Sequence, residues 1–387
     1  MKKILLIMAG DFSHLSGIEN YNLLLVNILH KFYTNFQIDV MLPGCDNPPP
    51  INNENNLHFV YWWIQSRKFN NFVFNFFKLL NGNYHARKEF KKIMSDYDLI
   101  IDSSQVNFSA AKKLKNYYLI QHFNINEIYL WKYIHPTSLK DYIRKYAHCF
   151  ITKESTFVDN AQNFIVYDDV TKNIIKQYKK DTNVIVIPLP SKIKPLSIEN
   201  LSTSNRKRII FFGRLAEQKN IPDLMLINDS LNLIDFYGQA LTKEGIEYQK
   251  VLKEKGWYKG YIKNDAQLTS VLSSYKFSIL YSTKKEGFSF SLVESLSQGI
   301  PIIVKDSFPS ASYLCNNERG LLLPENSSIK EDIDKIIEFT KLSINKYEEL
   351  QKNCIKFYLS NLSYQIFEEK WKNIFNQYLD KQKENFN

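Results

Sequence analysis

The 387-residue sequence has no cysteine pair at metal-binding or redox spacing. Cys45, Cys149, Cys315 and Cys354 lie far apart, so neither a zinc site nor a disulfide framework is indicated. No apolar run approaches the ~18 residues that a membrane-spanning helix needs. Ile4 to Ala9 is too short for the apolar core of a signal peptide and runs straight into Gly10-Asp11, which fits a first buried strand instead. No repeat of solenoid period and no low-complexity tail is present. No G-x-G-x-x-G follows the first strand, which argues against a nicotinamide or flavin dehydrogenase. These absences favour a reducing, cytoplasmic setting with membrane association at most peripheral.

Hydrophobic residues make up 44% of the chain, an ordinary share for a folded protein, and 387 residues at ~100–200 per domain predict two domains. Fifty lysines and arginines against forty acids leave +10, which favours an anionic partner such as a nucleotide, a phospholipid surface or a nucleic acid.

The same strand, loop, helix order appears twice. Ile4-Leu-Leu-Ile-Met8 predicts a buried strand, followed by a polar loop with Gly10 and Gly17 and a helix over Glu19 to Phe32. Strands are then expected at Gln37 to Leu42, Leu57 to Tyr61, Leu99 to Asp102, Tyr117 to Gln121, Phe164 to Val166 and Val184 to Ile187. Intervening helical stretches imply crossovers and a parallel sheet. Pro188 to Arg208 has the composition of a linker. Strands resume at Arg208 to Phe212, Leu233 to Tyr237, Trp257 to Lys259, Phe277 to Tyr281 and Ile300 to Val304. The expected organisation is a domain over 1–190, a linker over 191–207, a second domain over 208–363 and a terminal helix over 364–387. Phe367, Trp371, Ile374, Phe375 and Tyr378 form one stripe of that helix, expected to pack on the second domain. The fold class is therefore α/β, two Rossmann-like doubly wound domains, whose ligand belongs at the carboxyl ends of the strands.

One segment carries most of the chemistry. In Lys285 to Ile303 seven residues separate Glu286 from Glu294. A strand ending near Tyr281 and a helix over Leu292 to Gln298 would put Glu286 in the intervening loop and Glu294 in the helix's first turn. A carboxylate accepts two O–H bonds from vicinal hydroxyls, so two carboxylates can hold two rings of one ligand. The helix start and the Gly287 backbone would offer N–H groups to anionic oxygens. Ser291-x-x-Glu294 also reads as a capping box, which would make Glu294 structural.

With its glycines, aromatic and Gly-x-Pro ending, this segment resembles the E-x7-E signature of retaining GT-B glycosyltransferases of family four (glycosyl transferases group 1). Ser289 stands for the usual glycine and Ser295 for the usual alanine. Phe211-Phe-Gly-Arg214-Leu-Ala-Glu-Gln-Lys219 is similar to the same family's strand-Gly-Arg-x-x-x-x-Lys segment. The resemblance implies two facing domains with the donor in the cleft between them, Gly213, Arg214 and Lys219 on the donor's diphosphate, and Glu286, Gly287, Phe288, Ser289 and Glu294 on its sugar and ribose. Gly238 and Tyr261 fall where the family holds the base, and Gly17 lies in a shortened glycine-rich loop opening the first helix. His122, just beyond a strand, would bond the transferred sugar or stabilise developing charge. The catalytic set so implied is His122, Glu286, Arg214 and Lys219.

No metal and no bound cofactor are expected. Asp96-Tyr-Asp98, superficially a metal-binding D-x-D, reads as a turn into the strand at Leu99. The Arg67 to Lys92 stretch interleaves aromatics with bases, which suits either a core-packed helix or an anionic bilayer. Nucleic acid is not expected, for want of a recognised module. The function implied is metal-independent retaining transfer from a nucleotide sugar, UDP-linked by the family's habit, to a glycan or lipid-linked glycan of the bacterial envelope, such as lipopolysaccharide or capsule. The alternatives are a non-catalytic GT-B subunit that binds a glycan or a partner transferase, and a sugar-nucleotide epimerase or hydrolase.

Overall fold

The structure is a computed structural model and describes residues 2–8, 17–44, 57–64, 85–104, 108–122, 157–201, 208–284 and 286–380, with short pieces at 136, 138–146 and 149. Packing divides the chain into two units, Met1–Ile187 with Glu368–Asn387, and Pro188–Phe367. Among the described residues no helix is long and apolar enough to cross a membrane.

The first unit holds seven parallel strands in the order β3-β2-β1-β4-β5-β6-β7: β1 Lys3–Met8, β2 Gln37–Gly44, β3 Leu57–Ile64, β4 Leu99–Ser103, β5 Tyr117–Ile120, β6 Asn163–Val166 and β7 Asn183–Val186. Leu5 to Met8 and Ile100 to Ile101 have no measurable exposure, as central parallel strands covered on both faces require. Between β1 and β4 the strand order reverses, which opens a crevice at their carboxyl ends. Of the aromatic-basic Arg67 to Lys92 stretch, residues 67–84 lie outside the described residues. In the helix at 85–93, Ala86 and Phe90 are core residues. Asp96 and Asp98 form the turn into β4, where Asp98 Oδ2 accepts the Lys3 backbone N–H at 2.8 Å.

The second unit repeats the plan with six parallel strands in the order β10-β9-β8-β11-β12-β13: β8 Ile209–Phe212, β9 Ile234–Tyr237, β10 Tyr258–Gly260, β11 Phe277–Leu280, β12 Ile302–Lys305 and β13 Gly320–Leu323. Its reversal falls between β8 and β11, so the loops after these two strands share one crevice. Hydrophobic patterning does not announce β13. Four residues with only Gly320 and Leu323 buried carry too little pattern, and the edge forms because Gly320 lets the backbone approach Ile302 closely.

Two expectations are corrected. The Pro188 to Arg208 stretch is no loose linker at its start: Leu189 and Ile193 are buried, and Ile193 packs with Ile210, Phe212 and Ile300. Residues 202–207 lie outside the described residues. The last helix, Tyr364–Asp380, does not pack on the second domain along its length. From Glu368 onward it belongs to the first unit, where Phe375 meets Tyr33 edge-on at 4.8 Å, Asn376 accepts from the Tyr33 hydroxyl at 3.2 Å and Lys370 donates to the Val186 carbonyl at 2.8 Å. An apolar stripe shows that a face is buried and not against what. The Tyr378 side chain lies outside the described residues.

One buried charge network braces the end of β11. Lys305 on β12 donates to Asp332 at 2.7 Å and to the Ser327 carbonyl and hydroxyl, each at 2.9 Å. Ser327 and Tyr281 donate to the same carboxylate. Lys305 and Asp332 are 6% and 0% exposed, so neither charge is solvated and each depends on the other.

Candidate active site

In the second unit the loop after β8 and the loop after β11 are laced together. The Gln218 carbonyl accepts the Thr283 backbone N–H at 2.9 Å and its hydroxyl at 3.3 Å. Glu286 N donates to the Thr283 carbonyl at 3.1 Å, which turns the glutamate back toward the first loop. There Glu286 Oε2 accepts from Lys219 Nζ at 2.7 Å and from Gln218 Nε2 at 3.1 Å. The two side chains are only 12% and 6% exposed, so the pair is desolvated and charge-assisted. Glu286 keeps Oε1 without a partner among the described residues, and the ammonium of Lys219 retains further N–H donors.

Glycines set the approach of these loops. Gly213 N bonds the Tyr237 carbonyl at 3.1 Å, and a Cβ on Gly238 would stand 1.9 Å from the Gly213 carbonyl oxygen. Only glycine lets the chains leaving β8 and β9 lie that close. Arg214, next in line, is exposed and makes no ion pair among the described residues. Tyr261 is exposed beyond β10, while Phe288 is buried. Ser310 donates to the Gly287 carbonyl at 2.9 Å, and the Ser289 and Ser291 hydroxyls bond each other at 2.9 Å.

Glu294 sits elsewhere than expected. The helix runs Phe290–Ser297 with Ser289 as its N-cap, so Glu294 lies one turn in and Ser291 is inside the helix. The capping-box reading therefore fails: the helix starts two residues earlier because Phe290 follows directly on the extended Ser289. Glu294 is 8% exposed, and its carboxylate has no hydrogen bond among the described residues. Burial pushes its carboxyl up to about 7, opposed by the charge of Lys192 and reinforced by that of Asp265. A largely buried carboxyl that bonds nothing else among the described residues is open to a ligand that supplies a hydrogen bond.

Lys192 escaped the sequence reading because it stands in the proline-rich stretch. Three bonds hold that stretch along the helix of Glu294: Ser297 Oγ to Ser191 Oγ at 3.3 Å, Gln298 Nε2 to the Lys194 carbonyl at 2.8 Å, and Leu196 N to the Ser297 carbonyl at 2.9 Å. Burial lowers the Lys192 ammonium, with Glu294 and Asp265 countering. Gln218 and Ser310 were likewise missed, since only the folded loops reveal what they hold.

In the first unit, Gly17 opens the helix Gly17–Phe32 and is exposed; Ser16 and the rest of the preceding loop lie outside the described residues. His122 follows β5 in a buried polar set drawn from the carboxyl ends of β4, β5 and β6 and from the helix Gly17–Phe32. Its Nε2 is 2.7 Å from Ser103 Oγ, which donates to Asn22 Oδ1 at 2.6 Å, and its Nδ1 bonds the Tyr167 hydroxyl. With Ser103 donating to Asn22, Nε2 carries the proton and Nδ1 accepts from Tyr167. Burial pushes the imidazole down to about 3, so the ring is neutral at physiological pH.

The structure thus joins Lys219, Gln218 and Glu286, brings the charge of Lys192 near enough to Glu294 to oppose the effect of its burial, and leaves Arg214 and Tyr261 exposed. Among the described residues no cluster of three or more His, Cys, Asp or Glu is placed to hold a metal.

Residues 192–357 match the family model of glycosyl transferases group 1. The GtfA subunit of the UDP-N-acetylglucosamine–peptide N-acetylglucosaminyltransferase of Streptococcus pneumoniae serotype 4 is 27% identical over 241 residues, 56% of this chain and 45% of that protein. The chain spans about half the length of the curated relatives it matches. Among solved structures, sucrose-phosphate synthase from Thermosynechococcus elongatus superposes with a TM-score of 0.73 at 16% identity, covering 97% of this chain and 99% of that one. Pneumococcal O-GlcNAc transferase GtfA, in complex with UDP and GlcNAc, gives 0.65 at 13% identity, covering 98% and 99%. At such identities the likeness is one of fold. The second half of the chain thus matches the glycosyl transferases group 1 model over residues 192–357, and the chain has the α/β fold of the GT-B glycosyltransferases.

Proposed function

We propose that this chain transfers a sugar from a UDP-linked donor, with N-acetylglucosamine the first candidate, to a hydroxyl of a bacterial surface glycan, with retention at the anomeric carbon. The observation that carries the reading is the pair of carboxylates at one sheet crevice, Glu286 oriented by Lys219 and Gln218 and Glu294 buried without a partner. A GT-B relative acting on a peptide and a neighbour binding UDP and GlcNAc support the donor class. The same relative's name favours a second reading of the acceptor, a peptide hydroxyl.

In this reading Glu286 Oε1 accepts hydroxyl protons of the transferred sugar and Glu294 accepts those of the ribose. Arg214 and the remaining N–H groups of Lys219 face the diphosphate. As the bond from anomeric carbon to phosphate oxygen breaks, charge grows on the departing diphosphate, and fixed cations stabilise it more than in the ground state. The acceptor oxygen bonds the same face of the carbon and gives its proton to the leaving phosphate oxygen.

A melting-temperature panel of UDP-, GDP- and dTDP-sugars tests the donor. UDP and UDP-GlcNAc at about 100 times Kd should stabilise by about 2.7 kcal/mol, a rise of several degrees. If no nucleoside diphosphate raises the melting temperature, the proposal is wrong. Radiolabelled donor then separates the acceptors, by incorporation into envelope glycan or into a peptide.

Glu294 also predicts a pH dependence. Its folded carboxyl titrates near 7 against 4.5 ordinarily, so the folded chain keeps a proton that the unfolded chain has lost. That contribution to stability is complete below about pH 4.5 and disappears as pH rises through about 7. UDP binding, which needs the ionised acceptor, should run the opposite way and tighten across the same range. The stabilisation by UDP should be larger at about pH 8 than at about pH 6, and Glu294→Gln should flatten the difference. Equal shifts at both pH values in the native chain would remove Glu294 from the site.

A further inference from the structure

Asn22 departs from the pattern of its helix. On Gly17–Phe32 it shares a buried face with Leu25, Val26 and Leu29, at i+3, i+4 and i+7, and like the two leucines it has no measurable exposure. An amide there costs free energy unless it is fully hydrogen-bonded, and Asn22 Nδ2 has no partner among the described residues. For stability alone a leucine would serve better, so the amide is explained by what its oxygen does. We infer that Asn22 is a positioning residue for His122, acting through Ser103 to hold the imidazole in its Nε2–H tautomer. The inference rests on the proposed transfer and on the place of His122 just past β5, at the carboxyl end of the sheet where ligands of such folds bind.

The direction of the hydrogen bonds decides the tautomer. Tyr167, His122 and Ser103 can each donate and accept, so none of them orients the row by itself. Asn22 does: its Oδ1, an acceptor only, takes the Ser103 proton at 2.6 Å. Ser103 Oγ has then spent its one proton and accepts from His122 Nε2 at 2.7 Å, which leaves Nδ1 a lone pair for the Tyr167 hydroxyl. Packing holds the ring in that plane. Tyr21 meets His122 edge-on with centroids 5.5 Å apart and lies 5.3 Å from the Tyr167 ring. Ser103, His122 and Tyr167 are at most 7% exposed, so water competes little for these bonds. Because burial also keeps the ring uncharged, His122 presents a fixed dipole rather than a cation or a base. Reversing the tautomer would reverse that dipole.

Imidazole nitrogen NMR of the full chain, isotope-labelled in histidine and recorded without donor, tests it; the His122 signals are those that His122→Gln removes. The native ring should show a protonated Nε2 and a bare Nδ1, unchanged between about pH 6 and 8, because burial pushes the imidazole down to about 3. Asn22→Leu leaves the Ser103 proton no acceptor but His122 Nε2, so the tautomer should reverse to Nδ1–H, with a melting temperature no lower than native. Asn22→Asp, whose carboxylate only accepts, should keep the native pattern. Ser103→Ala cuts the row by a second route and should leave the two tautomers mixed. In kinetics, Asn22→Leu should lower kcat on the order of 10²-fold with donor KM unchanged, since the proposed donor contacts belong to the second unit. An Nδ1–H ring in the native chain overturns the inference, as does an Asn22→Leu variant that keeps Nε2–H or one that reverses the tautomer with native kcat. Absence of a UDP-induced melting shift in the native chain would instead defeat the donor reading, and the tautomer spectra would still decide the role of Asn22.

Discussion

Lys219→Met is expected to lower kcat/KM by about 10²–10³-fold or more, because it removes a fixed cation from the place where leaving-group charge develops. It also strips Glu286 of its ion-pair partner at 2.7 Å, in a setting where that carboxylate is only 6% exposed. Breaking a buried pair from one side typically costs about 3–5 kcal/mol, because the surviving charge stays desolvated. Gln218, at 3.1 Å from the same oxygen, offsets part of that cost. Lys219→Met should thus lose stability as well as activity. The double variant Lys219→Met with Glu286→Gln removes both charges and should recover much of the stability while remaining inactive. Denaturant titration and initial rates on the two single variants and the double variant separate the effects. Near-native turnover by Lys219→Met would end the catalytic assignment, and a double variant no more stable than Lys219→Met would show that the pair is not coupled as the geometry states.

Asp332→Ala should destabilise the second unit by about 3–5 kcal/mol, the cost of leaving Lys305 buried without its counter-charge. Ser327 would still accept from the ammonium at 2.9 Å, so the lower end of that range is expected if Ser327 holds its place. At about 2–4 °C per kcal/mol for a unit of this size, the melting temperature should fall by roughly 10 °C. The effect reaches the site, because Asp332 also accepts from Tyr281, the residue that leads into the loop bearing Glu286. Asp332→Asn keeps an acceptor for Tyr281 and should cost less than the alanine variant. Thermal melts of both variants test this, and a loss below about 1 kcal/mol for Asp332→Ala would mean that the charges find other solvation.

Strand positions were legible wherever central strands are apolar throughout. Leu99 to Asp102 and Phe277 to Tyr281 announce themselves because a parallel strand covered on both faces must be apolar at nearly every position. The loop position of Glu286 followed from the strand before it. The start of the Glu294 helix did not: Ser291 offers a plausible cap, but the folded helix begins at Phe290, with Ser289 at the N-cap position making no side-chain capping bond. Cap choice is a matter of about 1 kcal/mol, which loop packing easily outweighs.

The amino-acid sequence by itself determined two doubly wound sheets, because alternating buried strands and amphipathic helices admit few other arrangements, and it placed glutamates and cations in the loops where such sheets bind ligands. Only the tertiary structure decided which of those charges meet. Lys219 and Glu286, 67 residues apart, meet, whereas Lys192, on a segment that periodicity assigns to a linker, comes only near enough to Glu294 for its charge to be felt there. The reason is physical: periodicity records whether a side chain is buried, whereas a partner across the chain is selected by how loops close. The last helix shows the same limit, since its stripe required a covering surface and the fold, not the stripe, supplied Tyr33 and Val186 of the first unit.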